Sequence, residues 1–130
     1  MVSKEEYELY EERHWELWDW LFHNPSKQKH DCPNWEWNSG EWKGIYQDCF
    51  ACAVEKSRID VDCNQCPMPN RACGGNYSYF NKWNKVITPQ IRKKFAKLIR
   101  DAFWLSYKNW KMKGGKGRDE RSYRNFRNDN

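Results

Sequence analysis

The first segment of the chain places apolar and polar residues with the period of a helix. Within residues 4–23, large side chains recur at steps of three and four on one face: Tyr7, Tyr10, His14, Leu17, Trp18 and Leu21. The opposite face is acidic and holds Glu5, Glu8, Glu12, Glu16 and Asp19. Ser3 and Glu6 have the spacing of a capping box. Asn24-Pro25 should end the helix, because proline disfavours helical geometry in the preceding residue.

A second amphipathic pattern occupies residues 88–112. Thr88 is the expected N-cap, and Pro89 suits the first helical position, where its missing N–H costs nothing. The predicted apolar face consists of Ile91, Phe95, Leu98, Ile99 and Ala102, and it is widened by Phe103, Leu105, Ser106 and Trp110. We expect this helix to fade by Met112, before a pair of glycines.

The composition suggests that these helices need a further source of stability. Aromatic residues make up 17% of the chain, with 9 Trp, whereas aliphatic residues are few. The mean hydropathy is -1.18 and 32% of residues are charged. A small domain with this balance often depends on a disulfide or a metal ion. The six cysteines between the two helices are the candidates for that role.

Four of the cysteines form two CxxC pairs, Cys49/Cys52 and Cys63/Cys66, with ten residues between the pairs. Two such turns can direct four thiolates at one tetrahedral zinc ion, and a site with four thiolates is structural. Cys73 is an alternative ligand, and His30 and Cys32 could also reach the site. Two disulfides, a redox CxxC pair and an iron–sulfur cluster are the alternatives to zinc.

The predicted fold is therefore mainly α, with two long helices packed together around a zinc-clamped loop region. The intervening segment is expected to be irregular or to contain small β-hairpins at the CxxC turns. Trp35 and Trp37 alternate with polar residues, so a short strand is predicted there. We expect one zinc-stabilised domain over residues 1–112 and a flexible basic tail over residues 113–130.

The apolar segments needed for export or membrane insertion are not seen in the sequence. No secretory signal follows the N-terminus, and no apolar run has the length of a membrane span. We therefore expect a monomer in the reducing cytoplasm of a host cell, where paired cysteines typically bind metal. A mature secreted chain without its signal would have the same sequence features.

Charge is distributed unevenly along the chain. Residues 1–31 carry 4 Lys and Arg against 8 Asp and Glu, whereas residues 85–130 carry 14 against 4. On the second predicted helix, a basic stripe with one large ring lies opposite the apolar face: Lys93, Lys97, Arg100, Trp104, Lys108 and Lys111. This stripe is predicted to bind a partner. Alternatively, Trp104 packs on its own chain, or the acidic first helix faces the basic second helix.

The sequence lacks the common catalytic motifs. The sequence contains no phosphate-binding glycine loop, nucleophile elbow or HExxH motif. His14 lies on the apolar face of the first helix, where a buried structural role is expected, and His23 is placed as a helix C-terminal residue. We therefore predict that the protein is not an enzyme.

Several motifs occur in an order that resembles small cysteine-rich proteins of bacteriophages and prophages. These are the tryptophan-rich helix at residues 14–21, Asn24-Pro25-Ser26-Lys27, Cys49-Phe50-Ala51-Cys52, Cys63-Asn64-Gln65-Cys66-Pro67, and Cys73. The resemblance covers residues 14–83. Relatives are expected to have tryptophan at the position of Cys32, which makes Cys32 less suited to be a ligand.

Small phage accessory proteins of this kind include anti-CRISPR proteins, and the resemblance implies a functional hypothesis. The protein would bind and inhibit a host defence protein or nucleoprotein, most specifically a type II CRISPR nuclease. The alternative is a zinc-finger module that binds nucleic acid directly through its basic aromatic helix. A redox or hydrolytic metalloenzyme is the third hypothesis.

Overall fold

The structure is a computed structural model and describes residues 2–43, 49–51, 67–68, 78–86 and 88–112. In these ranges the chain is mainly helical, as predicted, and four α-helices pack together: α1 (Lys4–His23), α2 (Tyr79–Lys85), α3 (Pro89–Arg100) and α4 (Tyr107–Met112). Short 3-10 turns occur at Lys29–Asp31 and Glu36–Asn38. None of the described helices combines the length and the apolar character that a bilayer span requires.

Helix α1 forms as its sequence predicts. The Ser3 hydroxyl accepts a hydrogen bond from the Glu6 N–H at 3.1 Å, and the Glu6 carboxylate accepts from the Ser3 N–H, which completes the capping box. The helix ends at His23, with Asn24 as its C-cap. Its buried face consists of Tyr7, His14, Leu17, Trp18 and Leu21. The prediction of the apolar face is therefore confirmed, with Tyr10 half-buried beside it.

Helix α3 begins at the predicted Thr88 and Pro89, but its buried face only partly overlaps the predicted one. Its buried residues are Arg92, Ala96 and Ile99, while Ile91 is exposed. Because α3 packs against both α1 and α2, two of its faces are covered, and the small Ala96 lies where it is fully buried. The predicted apolar face is therefore right for Ile99, and for Phe95 and Ala102, which are half-buried against the core, but it is wrong for Ile91 and it misses Ala96.

The second predicted helix does not continue to Met112, because residues 101–106 interrupt it. In this interruption the Leu105 N–H donates to the Pro67 carbonyl at 2.9 Å, and the Leu105 carbonyl accepts from the Tyr7 hydroxyl. Ser106 then begins α4, since its hydroxyl accepts from the Asn109 N–H at 3.2 Å. The expectation of two long helices is corrected to one long helix, α1, and the shorter helices α3 and α4.

Aromatic rings form most of the core and group around α1. Near its N-terminus, Tyr7 contacts the rings of Trp104, Tyr107 and Trp110 at centroid distances of 5.0–5.5 Å. Near its C-terminus, Trp18 meets Trp83 edge to face at 4.9 Å. Each buried ring removes about 150–250 Å² from water, which is how a chain with few aliphatic residues forms a core.

A third aromatic group forms in the segment between α1 and the cysteine motifs. Trp35 stacks on Phe50 at 5.1 Å and meets Trp42 edge to face at 5.0 Å. The predicted strand at Trp35 is replaced by a 3-10 turn and a single bridge to Trp42, and no β-strand occurs in the described residues. Gly40 is required in this loop, because a Cβ atom there would overlap the Asn34 carbonyl.

The remaining fold predictions concern residues outside the described ranges. These are the small hairpins expected at the CxxC turns and the basic tail over residues 113–130. The division into a domain over residues 1–112 and a tail therefore stays a prediction.

Candidate functional site

The predicted zinc site lies mostly outside the described residues. Of its proposed ligands, Cys49 is described and half-buried, whereas Cys52, Cys63, Cys66 and Cys73 fall outside the described ranges. Within the part of the chain that the structure describes, no three His, Cys, Asp or Glu side chains form a group that could hold a metal ion. The ligand set therefore stays a prediction from spacing.

Residues next to both CxxC pairs are anchored beside the N-terminal half of α1. In the first pair, Phe50 is buried, with its ring 6.2 Å from that of Tyr10. Immediately after the second pair, Pro67 is buried and its carbonyl accepts from the Leu105 N–H. Leu105 in turn is hydrogen-bonded to Tyr7, one helical turn from Tyr10. Phe50 thus contacts α1 directly, and Pro67 is linked to the same part of α1 through Leu105.

The additional candidates His30 and Cys32 have different surroundings. The His30 side chain is exposed, with its Nε2 atom 3.9 Å from an Asp31 carboxylate oxygen. Cys32 is buried, and burial raises the pKa of its thiol. Because a zinc ligand must be a thiolate, these surroundings by themselves disfavour ligation by Cys32.

The predicted basic stripe is divided by the interruption between α3 and α4. Arg100 is hydrogen-bonded to the carboxylates of Asp19 at 2.8 Å and Asp101 at 2.9 Å. At this one position the acidic and basic helices face each other. Trp104 is only 6% exposed and packs on Tyr7 and His14. Of the two interpretations of Trp104, the structure favours packing on its own chain.

The four lysines of the predicted stripe have separate environments. On α3, the Lys93 ammonium lies 4.7 Å from the ring centroid of Phe22, and Lys97 is exposed. On α4, Lys108 is exposed, whereas Lys111 is half-buried over the Tyr107 ring. A partner-binding role for these lysines stays a prediction.

A different set of lysines forms a continuous basic surface on α2 and α3. The segment from Ser78 to Arg100 contains seven Lys and Arg and no Asp or Glu. Four of these lysines are exposed and make no ion pair with a described carboxylate, and we call them the basic surface: Lys82, Lys85, Lys94 and Lys97. The ammonium groups of Lys82 and Lys94 lie 5.6 and 5.7 Å from the Phe95 ring centroid. This arrangement combines unneutralised positive charge with an aromatic ring.

A surface cleft, which the sequence did not indicate, lies between α1 and the residues that follow α3. Its volume is about 350 Å³, and its lining includes Glu11, Trp15 and Phe103. Glu11 and Trp15 are four residues apart and so share one side of α1. Phe103 is 88% exposed, although its neighbour Trp104 is buried. The periodicity predicts Phe103 on the apolar face of one continuous helix, so its exposure is not expected from the sequence.

His14 forms part of the floor of this cleft and has the buried role that was predicted. Its Nε2 atom lies 3.1 Å from the Ile99 carbonyl oxygen. Burial lowers the pKa of His14, so the neutral ring donates to this carbonyl from Nε2. At the end of α1, His23 Nδ1 lies 2.8 Å from the Asp19 carbonyl oxygen, an interaction consistent with its expected place at the C-terminus.

Comparison of the chain with protein-family models, with curated proteins and with solved structures finds no match. The resemblance to phage and anti-CRISPR proteins therefore stays a prediction. The features of the chain that bear on function are the basic surface, the cleft and the cysteine motifs.

Proposed function

We propose that this chain is a non-catalytic binding protein whose basic surface docks onto a host defence nucleoprotein and inhibits it. The observation that carries the proposal is the set of four exposed lysines on α2 and α3 without carboxylate partners in the described structure. Charges left unneutralised on one surface attract a polyanion and accelerate its association. Nucleic acid held on a protein presents such a surface.

Rigid support for the lysines strengthens this proposal. Helix α3 packs on α1, and α2 packs on α3, where the Arg92 guanidinium lies over the Trp83 ring. Lysines on packed helices lose less conformational freedom on binding than lysines on a loop, so more of the interaction energy remains for affinity. The half-buried Phe95 offers a ring among them for stacking or apolar contact.

The specific target that the resemblance suggests is a type II CRISPR nuclease loaded with its guide RNA. A direct test measures target-DNA cleavage by that complex as purified protein is added. We expect inhibition at a stoichiometry near one inhibitor per nuclease. The double variant Lys94→Gln/Lys97→Gln should inhibit at least about tenfold less well, because two charge contacts to the complex are lost.

Lys43→Gln is the matched control for this test, because Lys43 is exposed but lies outside α2 and α3. It should inhibit as well as the natural chain. Full cleavage at a large excess of the natural chain would overturn the specific target. An equal loss of inhibition with the Lys43 variant would show a general charge effect and would overturn the role of the basic surface.

Direct binding of nucleic acid is the second candidate function, and the same lysines around Phe95 favour it. Fluorescence anisotropy with a labelled single strand of about twenty nucleotides distinguishes the two functions. A nucleic-acid module should bind tightly at low salt, and log K should fall linearly with log salt. Each lysine that contacts phosphate contributes about 0.7–0.9 to this slope, so the double variant should lower the slope by about 1.5. Unchanged anisotropy at low salt would exclude this function.

We further propose that a structural zinc ion stabilises the domain through Cys49, Cys52, Cys63 and Cys66. The paired spacing supports this, and so do the positions of Phe50 and Pro67, which adjoin the two motifs and lie near the N-terminal half of α1, Pro67 through Leu105. The four thiolates would hold the ion in a closed tetrahedral site, and binding of the ion would contribute to the free energy of folding.

The zinc proposal is tested by elemental analysis and thermal melting of the purified chain. We expect about one zinc per chain and a lower melting temperature after chelation. Cys49→Ala should lose the metal, whereas Cys32→Ala should keep it and serves as the control for removal of a cysteine. Absence of metal together with cysteines oxidised in pairs would favour disulfides and contradict the proposal.

A further inference from the structure

The cleft between α1 and the residues after α3 has the features of a recognition site and shares no residue with the basic surface. Its volume of about 350 Å³ lies within the range of about 300–1,000 Å³ that is usual for ligand sites. Two of its aromatic residues are open to solvent, with Trp15 47% and Phe103 88% exposed. Large rings left this exposed are frequent at the centres of protein interfaces.

Charge in and around the cleft is negative. The guanidinium of Arg100 is bound by two carboxylates, those of Asp19 and Asp101, so these three groups together carry one negative charge. Glu11 adds a second, and it forms no ion pair with a described residue. Burial raises the pKa of Glu11, and repulsion from Glu8 raises it further. Among the described residues, the Glu11 carboxylate is therefore not paired with a cation, while Arg100, which also lines the cleft, is paired with Asp19 and Asp101.

We infer that this cleft binds an arginine side chain, flanked by apolar residues, from a partner protein. The guanidinium would pair with Glu11 and lie against the rings of Trp15 and Phe103, while the apolar neighbours cover the rest of these rings. A guanidinium is planar and weakly hydrated, so it combines stacking with ion pairing better than the ammonium of lysine.

The molecule already contains one example of this recognition. The Arg100 guanidinium lies 5.4 Å from the ring centroid of Trp15 and 5.0 Å from that of Phe22, and it is paired with Asp19 at the same time. A second guanidinium in the cleft would repeat this combination with Glu11 and Phe103. Negative charge at the cleft repels phosphates, so the occupant differs from the polyanion proposed for the basic surface.

The test uses a tripeptide, acetyl-Leu-Arg-Leu-amide, and NMR spectroscopy of the full chain. The indole N–H signal of Trp15, assigned with a Trp15→Phe variant, should shift as peptide is added, with a dissociation constant of about 1 mM. The same peptide with citrulline in place of arginine keeps the shape but removes the charge. We expect it to bind at least about fivefold more weakly.

Two pairs of variants locate the interaction. Glu11→Gln should weaken binding of the arginine peptide at least about threefold, whereas Glu12→Gln, on the exposed neighbouring position of α1, should not. Phe103→Ala should abolish the shift, whereas Met112→Ala, which removes an exposed apolar side chain elsewhere, should preserve it. All four positions are at least partly exposed, so the variants are expected to fold.

Three results would overturn the inference. Equal binding of the citrulline peptide would show that the cleft recognises no cation, and equal effects of the two glutamate variants would show unspecific attraction. Dimerisation of the chain in sedimentation experiments, lost with Phe103→Ala and without peptide binding, would identify a second copy as the occupant. None of these results depends on nucleic acid, so failure here is distinguishable from failure of the basic surface.

Discussion

Helices α1 and α3 are both amphipathic, but they differ in how far their sequences determine what they bury. Helix α1 buries the face predicted from its periodicity and keeps its acidic residues on the outside. Helix α3 buries Arg92 and Ala96, exposes Ile91, and ends before Trp104. The first helix presents one face to the rest of the molecule, whereas the third is covered by α1 on one side and α2 on another.

The comparison shows where a helical pattern can be trusted. A helix with one buried face has few arrangements that hide its apolar residues, so periodicity determines the arrangement. A helix with two covered faces must also accommodate small and polar residues between its neighbours, and periodicity does not determine which of these residues become buried. The helices also differ in charge, since α1 is acidic whereas α2 and α3 carry the basic surface.

The largest expected effect is a difference in stability between substitutions at two adjacent residues after α3, Trp104 and Phe103. Trp104→Ala should lower the free energy of unfolding by about 3–5 kcal/mol, because a buried ring is replaced by a cavity. Phe103→Ala should change it by less than about 0.5 kcal/mol, because that ring is exposed. Urea unfolding measures both. If the two variants lost similar stability, residues 101–106 would not have the described conformation.

A smaller effect is expected at Arg92, the charged residue that α3 buries. Its guanidinium lies 4.2 Å from the ring centroid of Trp83 and donates to the Lys27 carbonyl at 3.2 Å, while its Nε atom has no acceptor among the described residues. Arg92→Ala should cost about 2–3 kcal/mol through lost packing.

Arg92→Met is the matched variant at this position, because it keeps the long stem and removes a buried charge without a counterion. We expect its stability to lie within about 1 kcal/mol of the natural chain. Equal destabilisation by alanine and methionine in chemical denaturation would show that the guanidinium contacts, rather than the stem, stabilise the junction of α2 and α3.

The third effect is a dependence on pH from His14, the polar residue on the buried face of α1. The groups that face it are the Ile99 carbonyl, the Trp104 ring, Cys49 and Lys29. Its pKa is lowered in the folded state, so below about pH 6.5 the unfolded chain binds a proton that the folded chain does not. Stability should therefore decrease as the pH falls from 7 to 5, by at most about 1.4 kcal/mol per unit.

Melting temperatures across this pH range test the assignment to His14. The slope should be smaller in His14→Gln and unchanged in His30→Gln, which alters an exposed histidine. A slope that is the same in both variants would place the titrating group elsewhere.

The parts of the fold whose signals lie within a single segment of the chain were predictable from the sequence. The capping box of Ser3 and Glu6 and the stop at Asn24-Pro25 determine α1 within the segment itself. The interruption before α4 depends instead on a tertiary hydrogen bond from Leu105 to Pro67, which is distant in sequence. Ser106, followed by Asn109 at the third helical position, was the available local signal for a new N-terminus.

The candidate sites were predictable only in part. The sequence shows that basic residues gather toward the second half of the chain, and Lys97 belongs both to the predicted stripe and to the basic surface. The cleft needs Glu11 and Phe103, residues 92 positions apart, to be brought together by the packing of α1 and α3. Sequence periodicity carries no information on such a contact. The zinc site remains a prediction from the spacing of cysteines.

We propose that the basic surface is the part of the chain that docks onto the nucleoprotein. Chemical acetylation of lysines, measured by mass spectrometry with and without the RNA-loaded nuclease, can test this docking. We expect Lys82, Lys85, Lys94 and Lys97 to be protected in the complex, while the exposed Lys43 reacts as before. Protection confined to lysines outside α2 and α3, or no protection at any lysine, would contradict the claim.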